Sequence, residues 1–223
     1  MKDKIERWLH LNMALIGGFM GGYAILNRSD LFGSAETSNM ISLAMDAVGR
    51  QDSNWWVRLI ALLLYIAGLA STVILPHKIK HLNLKVFSII VDAIALVLVG
   101  FLPADLNPFV ALYPLFIATS IQWCSFSGAE GFTSSSIFST NNLRQCTTAF
   151  TEYLCTKNPE ALRKGKFFGK VLLSYHLGVA FAFISSQTFG LKASWVMLLP
   201  LCSALFLEHM ESSVKVHVPA YSR

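Results

Sequence analysis

The chain has 223 residues, 54% hydrophobic and only 14% charged, with a mean hydropathy of +0.52 and a formal net charge of +5. A soluble domain carries about 25% charged residues, so a water-facing globular surface is excluded. The basic excess is no nucleic-acid footprint, because it segregates between loops as topology demands.

Six apolar runs approach the roughly 20 residues that cross about 30 Å of hydrocarbon. They lie at about 9–27, 56–76, 84–103, 107–125, 167–186 and 194–210. They are too long and too uniformly apolar for the alternating strands of a barrel, so helices are expected. The first run reads as a span rather than a cleaved leader, because no small-residue cleavage site follows it. Its Gly17-Gly18 and Gly21-Gly22 pairs suggest close helix packing or a kink.

After this span comes Asn27-Arg28-Ser29-Asp30-Leu31-Phe32-Gly33-Ser34, turn-like and poor helix material. The segment that follows opens with Glu36-Thr37-Ser38-Asn39 and runs to Val48. Twelve helical residues reach only about 18 Å, too short to cross. Thr and Asn favour helix starts because their side-chain oxygens accept bonds from free first-turn amides. Glu36, placed there, would complement the positive end of the helix.

The second run carries Tyr65-Ile66-Ala67-Gly68, and the third carries Asp92 about eight residues from its start. The fourth ends near Gln122. The Thr-x-Asn signature then returns as Thr140-Asn141-Asn142-Leu143, led in by Gly131-Phe132-Thr133-Ser134-Ser135-Ser136. From Thr37 to Thr140 the shift is 103 residues; from Tyr65 to Tyr175, within Tyr175-His176-Leu177-Gly178, it is 110. A longer loop around Lys157–Ala161 accounts for the difference.

Each half thus reads as span, Thr-x-Asn segment, Tyr-x-x-Gly span and span. The halves are 1–105 and 106–223. An odd number of crossings per half inverts the second copy, giving a 3+3 inverted repeat with two short re-entrant or broken helices. Two opposed helix starts near the midplane would gather free amides and positive dipole ends, a setting for an anion or a neutral polar solute. Surface helices capped in loops are the alternative for both segments. With the first end inside, only Arg28, Arg50, Arg58 and Lys192 of the 18 basic residues lie outside, leaving 14 inside. Both ends are then cytoplasmic.

These blocks resemble the YoaK-like family of bacterial membrane proteins, largely uncharacterised. The resemblance rests on Gly17-Gly18-Phe19, Phe32, Ala35 and Thr37-Ser38-Asn39, then Gln122, Phe138 and Thr140-Asn141-Asn142-Leu143. It implies six spans, a bacterial cytoplasmic membrane and a small-solute permease, without naming a substrate.

The expected pathway residues are Glu36, Thr37, Ser38, Asn39, Tyr65, Gln122, Thr140, Asn141, Asn142 and Tyr175. Asp92 and His176 lie at similar depth, so they either pair as a proton relay or separate. In the second case Asp92 meets Lys85 or Lys170 and His176 bonds a neighbouring carbonyl. Trp55, Trp56 and Trp195 fall at span ends, where aromatic belts anchor. Cys124, Cys146, Cys155 and Cys202 show no metal or redox spacing. No phosphate loop, His-x-x-x-His pair or nucleophile elbow is present, so neither enzyme, metal nor cofactor is expected. The expected function is a permease or channel-like transporter for a small polar or anionic solute. Its partners would be that solute and membrane lipids, no nucleic acid, with a homo-oligomer left open. A non-transporting scaffold or assembly factor is the alternative.

Overall fold

The computed structural model of the protein describes residues 2–28, 36–50 and 55–216. Eight helices and one small hairpin follow in order: α1 (Lys2–Asn27), α2 (Glu36–Met45), α3 (Trp55–Lys78), α4 (Leu84–Phe101), α5 (Pro108–Ser125), β1 (Gly128–Ala129), β2 (Phe132–Thr133), α6 (Thr140–Thr156), α7 (Pro159–Phe189) and α8 (Leu198–Val216). A wide turn over Asp46–Arg50 prolongs α2, and a 3-10 segment, Gly190–Met197, joins α7 to α8. Of the turn expected over Asn27–Ser34, residues 29–34 fall outside the described residues.

Local chemistry sets the boundaries. Asn83, Asn107 and Asn158 each cap the helix that follows, their side-chain oxygens accepting from first-turn amides. Pro108 and Pro159 occupy first-turn positions, where a missing N–H goes unmissed. The hairpin turns on Glu130 and Gly131, at φ 56° and 82°, the left-handed pair of a two-residue connection.

By length and hydropathy, four stretches of described helix can cross a membrane: Asp3–Asn27, Trp55–Lys78, Leu84–Phe101 and Pro159–Val214. The last holds both α7 and α8. Helix α5 is not among them, its apolar content diluted by Pro108, Tyr113, Pro114 and Gln122. The all-helical, polytopic class therefore holds. A count of six crossings requires dividing the last stretch in two and adding α5.

The packing has a regular pattern. Helix α1 packs against α7, and α5 packs against α3; α6 lies along α7, and α2 along α3; α8 flanks α1, and α4 flanks α5. Helices α4 and α8 also meet each other. Two seams are close enough to demand glycine. A β-carbon on Gly178 would strike the Leu15 carbonyl oxygen of α1, and one on Gly68 would strike Ser120 Oγ of α5. Both glycines belong to the Tyr-x-x-Gly signatures, whose tyrosines are buried one turn earlier. The main core joins α1, α3, α4, α5 and α8 through Met13, Ile16, Phe19, Ala61, Leu96, Leu112, Phe116 and Leu201.

Candidate functional site

Helix α6 starts deep in the bundle. At one end, Arg7 of α1 donates to Glu130 of the hairpin at 2.6 Å. The chain then climbs along α1 until Ser136 sits so close to Gly17 that a β-carbon there would meet its carbonyl oxygen. Ten helical residues separate Arg7 from Gly17, a rise of about 15 Å. From that depth α6 runs back along α7, with Phe150 against Gly165, to reach Lys157 and the start of α7.

The ascent is held by buried polar groups. Asn142 is fully buried; its Oδ1 accepts from Ser134 Oγ (3.0 Å) and the Ser135 amide (3.4 Å). Its Nδ2 donates to the carbonyls of Ser135 (2.7 Å) and Phe138 (3.0 Å). Ser134 Oγ also meets His10 Nε2 at 3.1 Å, and that imidazole stacks on Phe167. Gln122 Nε2 donates to Ser136 Oγ and to the Met13 carbonyl, both at 2.9 Å. Irregular backbone inside a bundle needs such partners for its amides and carbonyls.

Asn142 and Gln122, expected as pathway lining, are buried and hydrogen-bonded to the climbing segment, and neither is among the residues that line the cavity described below. Nor do Thr and Asn cap α6. The residue before its first turn is Ser139, which makes no side-chain cap bond, and the first helical bond runs from the Leu143 amide to the Ser139 carbonyl. Tertiary bonding of Asn142 displaces the local capping expected of its residue type.

Helix α2 mirrors this course on a smaller scale. Its start, Glu36, lies by Tyr65 and Leu69 of mid-α3, and its end, by Leu43 and Ala47, reaches Leu59 and Trp55. The two starts share one cavity of about 790 Å³. Glu36, Thr37 and Met40 of α2, Tyr65 and Ile66 of α3, Trp123 of α5, and Thr140, Asn141 and Arg144 of α6 line it. Trp123 and Phe138 meet edge to face at 5.0 Å on its wall. Glu36 is 6% exposed; its Oε1 accepts from Asn39 Nδ2 at 3.3 Å, while Oε2 has no hydrogen-bond partner among the described residues. Arg144 is exposed and donates to Asn141 Oδ1 at 2.9 Å. No ion pair joins it to Glu36 across the cavity.

Of the expected pathway residues, Glu36, Thr37, Tyr65, Thr140 and Asn141 come together here. Ser38 is exposed, and Asn39 is buried against Glu36. Tyr175 lies elsewhere, its carbonyl beside Gly18 and its ring 5.5 Å from His176. Arg144 and Trp123 were missed, since a lone Arg beside Thr-x-Asn and a Trp near a span end carry no distinguishing signal. His10 and Ser134 were missed as well, although the Ser134-Ser135-Ser136 run marked an irregular segment.

Among the described residues Asp92 and His176 share no hydrogen bond, so of the two expected arrangements they separate. Asp92 is fully buried on α4 with neither carboxyl oxygen partnered, as is the Ser88 hydroxyl one turn earlier. His176 faces outward on α7 and its Nδ1 meets the Leu172 carbonyl of its own helix at 2.8 Å. The 3.6-residue period turns it away from the core that Tyr175 and Gly178 enter. Lys85 does not reach Asp92 either, being paired with Glu211 at 2.7 Å. Among the described residues no group of His, Cys, Asp or Glu is arranged to hold a metal ion.

A family model described as a protein of unknown function (DUF1275) matches residues 9–207, and the chain belongs to that family. The match agrees with an uncharacterised family of membrane proteins and does not single out YoaK-like members. No curated protein and no solved structure matches the chain.

Proposed function

We propose that this member of an uncharacterised family is a permease or channel-like pathway for a small polar or anionic solute. The carrying observation is the cavity where two short helices from opposite halves of the chain both begin. First-turn amides have no acceptor within their own helix, and two helix starts at one place favour negative or dipolar groups. Broken helices of this kind are tolerated at membrane depth only within protein or beside water. A cavity bounded by Thr37, Thr140 and Asn141 fits that requirement.

The proposal includes six crossings and an inverted 3+3 repeat, divided near residue 105. The reciprocal packing supports it: α1 on α7 corresponds to α5 on α3, and α2 on α3 to α6 on α7. The matched glycine seams, Gly68 on α5 and Gly178 on α1, add independent support. The protein would lie in a bacterial cytoplasmic membrane, with both ends inside and lipids around the bundle. The scaffold alternative draws support from Asn142, whose side chain is buried and hydrogen-bonded to the segment before α6.

Flux from proteoliposomes loaded with small neutral and anionic solutes tests the pathway. Asn141 is exposed in the cavity and holds no core group, so Asn141→Leu should fold normally and cut flux at least ten-fold. Flux no greater than in empty liposomes, or unchanged by both Asn141→Leu and Thr37→Leu, would favour the scaffold.

A further inference from the structure

From the charges of the same cavity we infer that its solute is a small zwitterion, carrying an ammonium and a carboxylate on one compact skeleton. This rests on the pathway reading and narrows it. Glu36 lines the cavity, and its Oε2 is buried behind that lining without a hydrogen-bond partner among the described residues. Arg144 brings a guanidinium that, among the described residues, bonds only to the neutral Asn141 oxygen. The two charges stand on helices from different halves and do not pair with each other.

That arrangement discriminates. A simple anion drawn to Arg144 and the two helix starts would share the cavity with an uncompensated carboxylate. A simple cation drawn to Glu36 would face the guanidinium. A buried charge left without its counterpart is strongly unfavourable, which disfavours an anion beside Glu36, while a simple cation leaves the exposed Arg144 unused and repelled. A zwitterion satisfies both: its ammonium meets Glu36, and its carboxylate meets Arg144 with the fork geometry that guanidinium offers. Tyr65 and Trp123 contribute aromatic rings to the lining, and the face of such a ring attracts an ammonium group. Leu62, Ile66, Leu69 and Met40 supply an apolar wall for an aliphatic side chain. A cavity of about 790 Å³ accommodates such a molecule with room to spare.

Calorimetric titration of the full chain in detergent tests this with a matched set: L-leucine, 4-methylpentanoate, which lacks the ammonium, and isoamylamine, which lacks the carboxylate. Leucine should bind at least ten-fold more tightly than either. Glu36→Gln should weaken leucine at least ten-fold and leave 4-methylpentanoate no weaker, whereas Arg144→Gln should weaken leucine and spare isoamylamine. Unchanged elution and melting of both variants would exclude a folding defect. The inference fails if a singly charged probe binds within two-fold of leucine, if no probe binds, or if both variants keep the leucine preference. Proteoliposomes separate the two readings: 4-methylpentanoate passing as fast as leucine overturns the zwitterion and leaves the pathway standing, whereas absence of flux for every solute removes the pathway itself.

Discussion

The two short helices begin with nearly the same letters, Glu36-Thr37-Ser38-Asn39 and Ser139-Thr140-Asn141-Asn142, yet their asparagines do different things. Asn142 is sealed in the bundle, where four hydrogen bonds tie α6 to the segment that climbs toward it. Asn39 makes one long bond, to Glu36, and leaves the other carboxylate oxygen bare. A repeated motif therefore need not mean a repeated role. One copy ties a helix start to the segment before it, and the other leaves a buried carboxylate oxygen of Glu36 without a hydrogen-bond partner among the described residues.

The largest expected effect comes from the braced copy. Asn142→Leu strands the Ser134 hydroxyl and the Ser135 and Phe138 backbone groups in the interior, so it should destabilise the protein by about 3–5 kcal/mol. A thermal melt in detergent checks this, and a variant as stable as wild type would erase the contrast between the helices. Next come the glycine seams. Gly178→Val and Gly68→Val force a side chain into the Leu15 carbonyl and into Ser120 respectively, each costing about 1–3 kcal/mol of overpacking. Comparable losses at both seams would sharpen the correspondence of α1–α7 with α5–α3; a loss at only one would weaken it. Asn39→Leu removes its bond to the buried Glu36 carboxylate and should cost about 1–3 kcal/mol, less than Asn142→Leu in the same melt. The smallest effect belongs to His176→Ala, which removes a bond within a single helix from an outward face. Its melting and the pH dependence of its flux should match wild type; a lost pH dependence would return His176 to the mechanism.

Much of this fold was legible in the sequence. The apolar runs at 56–76, 84–103 and 107–125 match α3, α4 and α5 to within three residues, since hydropathy over 20 residues is a strong signal. Helix α7 begins at Pro159, eight residues ahead of its apolar run, because Glu160–Lys166 is helical but charged, and hydropathy detects membrane contact rather than helicity. The hairpin went unread: its strands have two residues each, and Glu130 takes a positive φ usually given to Asn, Asp or Gly.

Within the site, Glu36, Thr37, Thr140 and Asn141 were legible because a doubled polar motif between apolar runs is rare. Arg144 was not, because only the returning course of α6 along α7 brings it to the cavity of Glu36. The depth match of Asp92 and His176 misled because equal depth says nothing about which way a helix face points; α4 packs on α5 and α8, and His176 looks out of α7.

A distance measurement tests the meeting of the two helix starts most directly. With Cys124, Cys146, Cys155 and Cys202 replaced, spin labels at Thr37→Cys and Thr140→Cys in lipid nanodiscs report their separation by pulsed electron resonance. Both residues line one cavity, so a distribution centred below about 20 Å is expected, allowing for label length. Helices lying on opposite membrane surfaces would instead hold the labels at least about 30 Å apart, the thickness of the hydrocarbon, and that result would contradict the shared cavity.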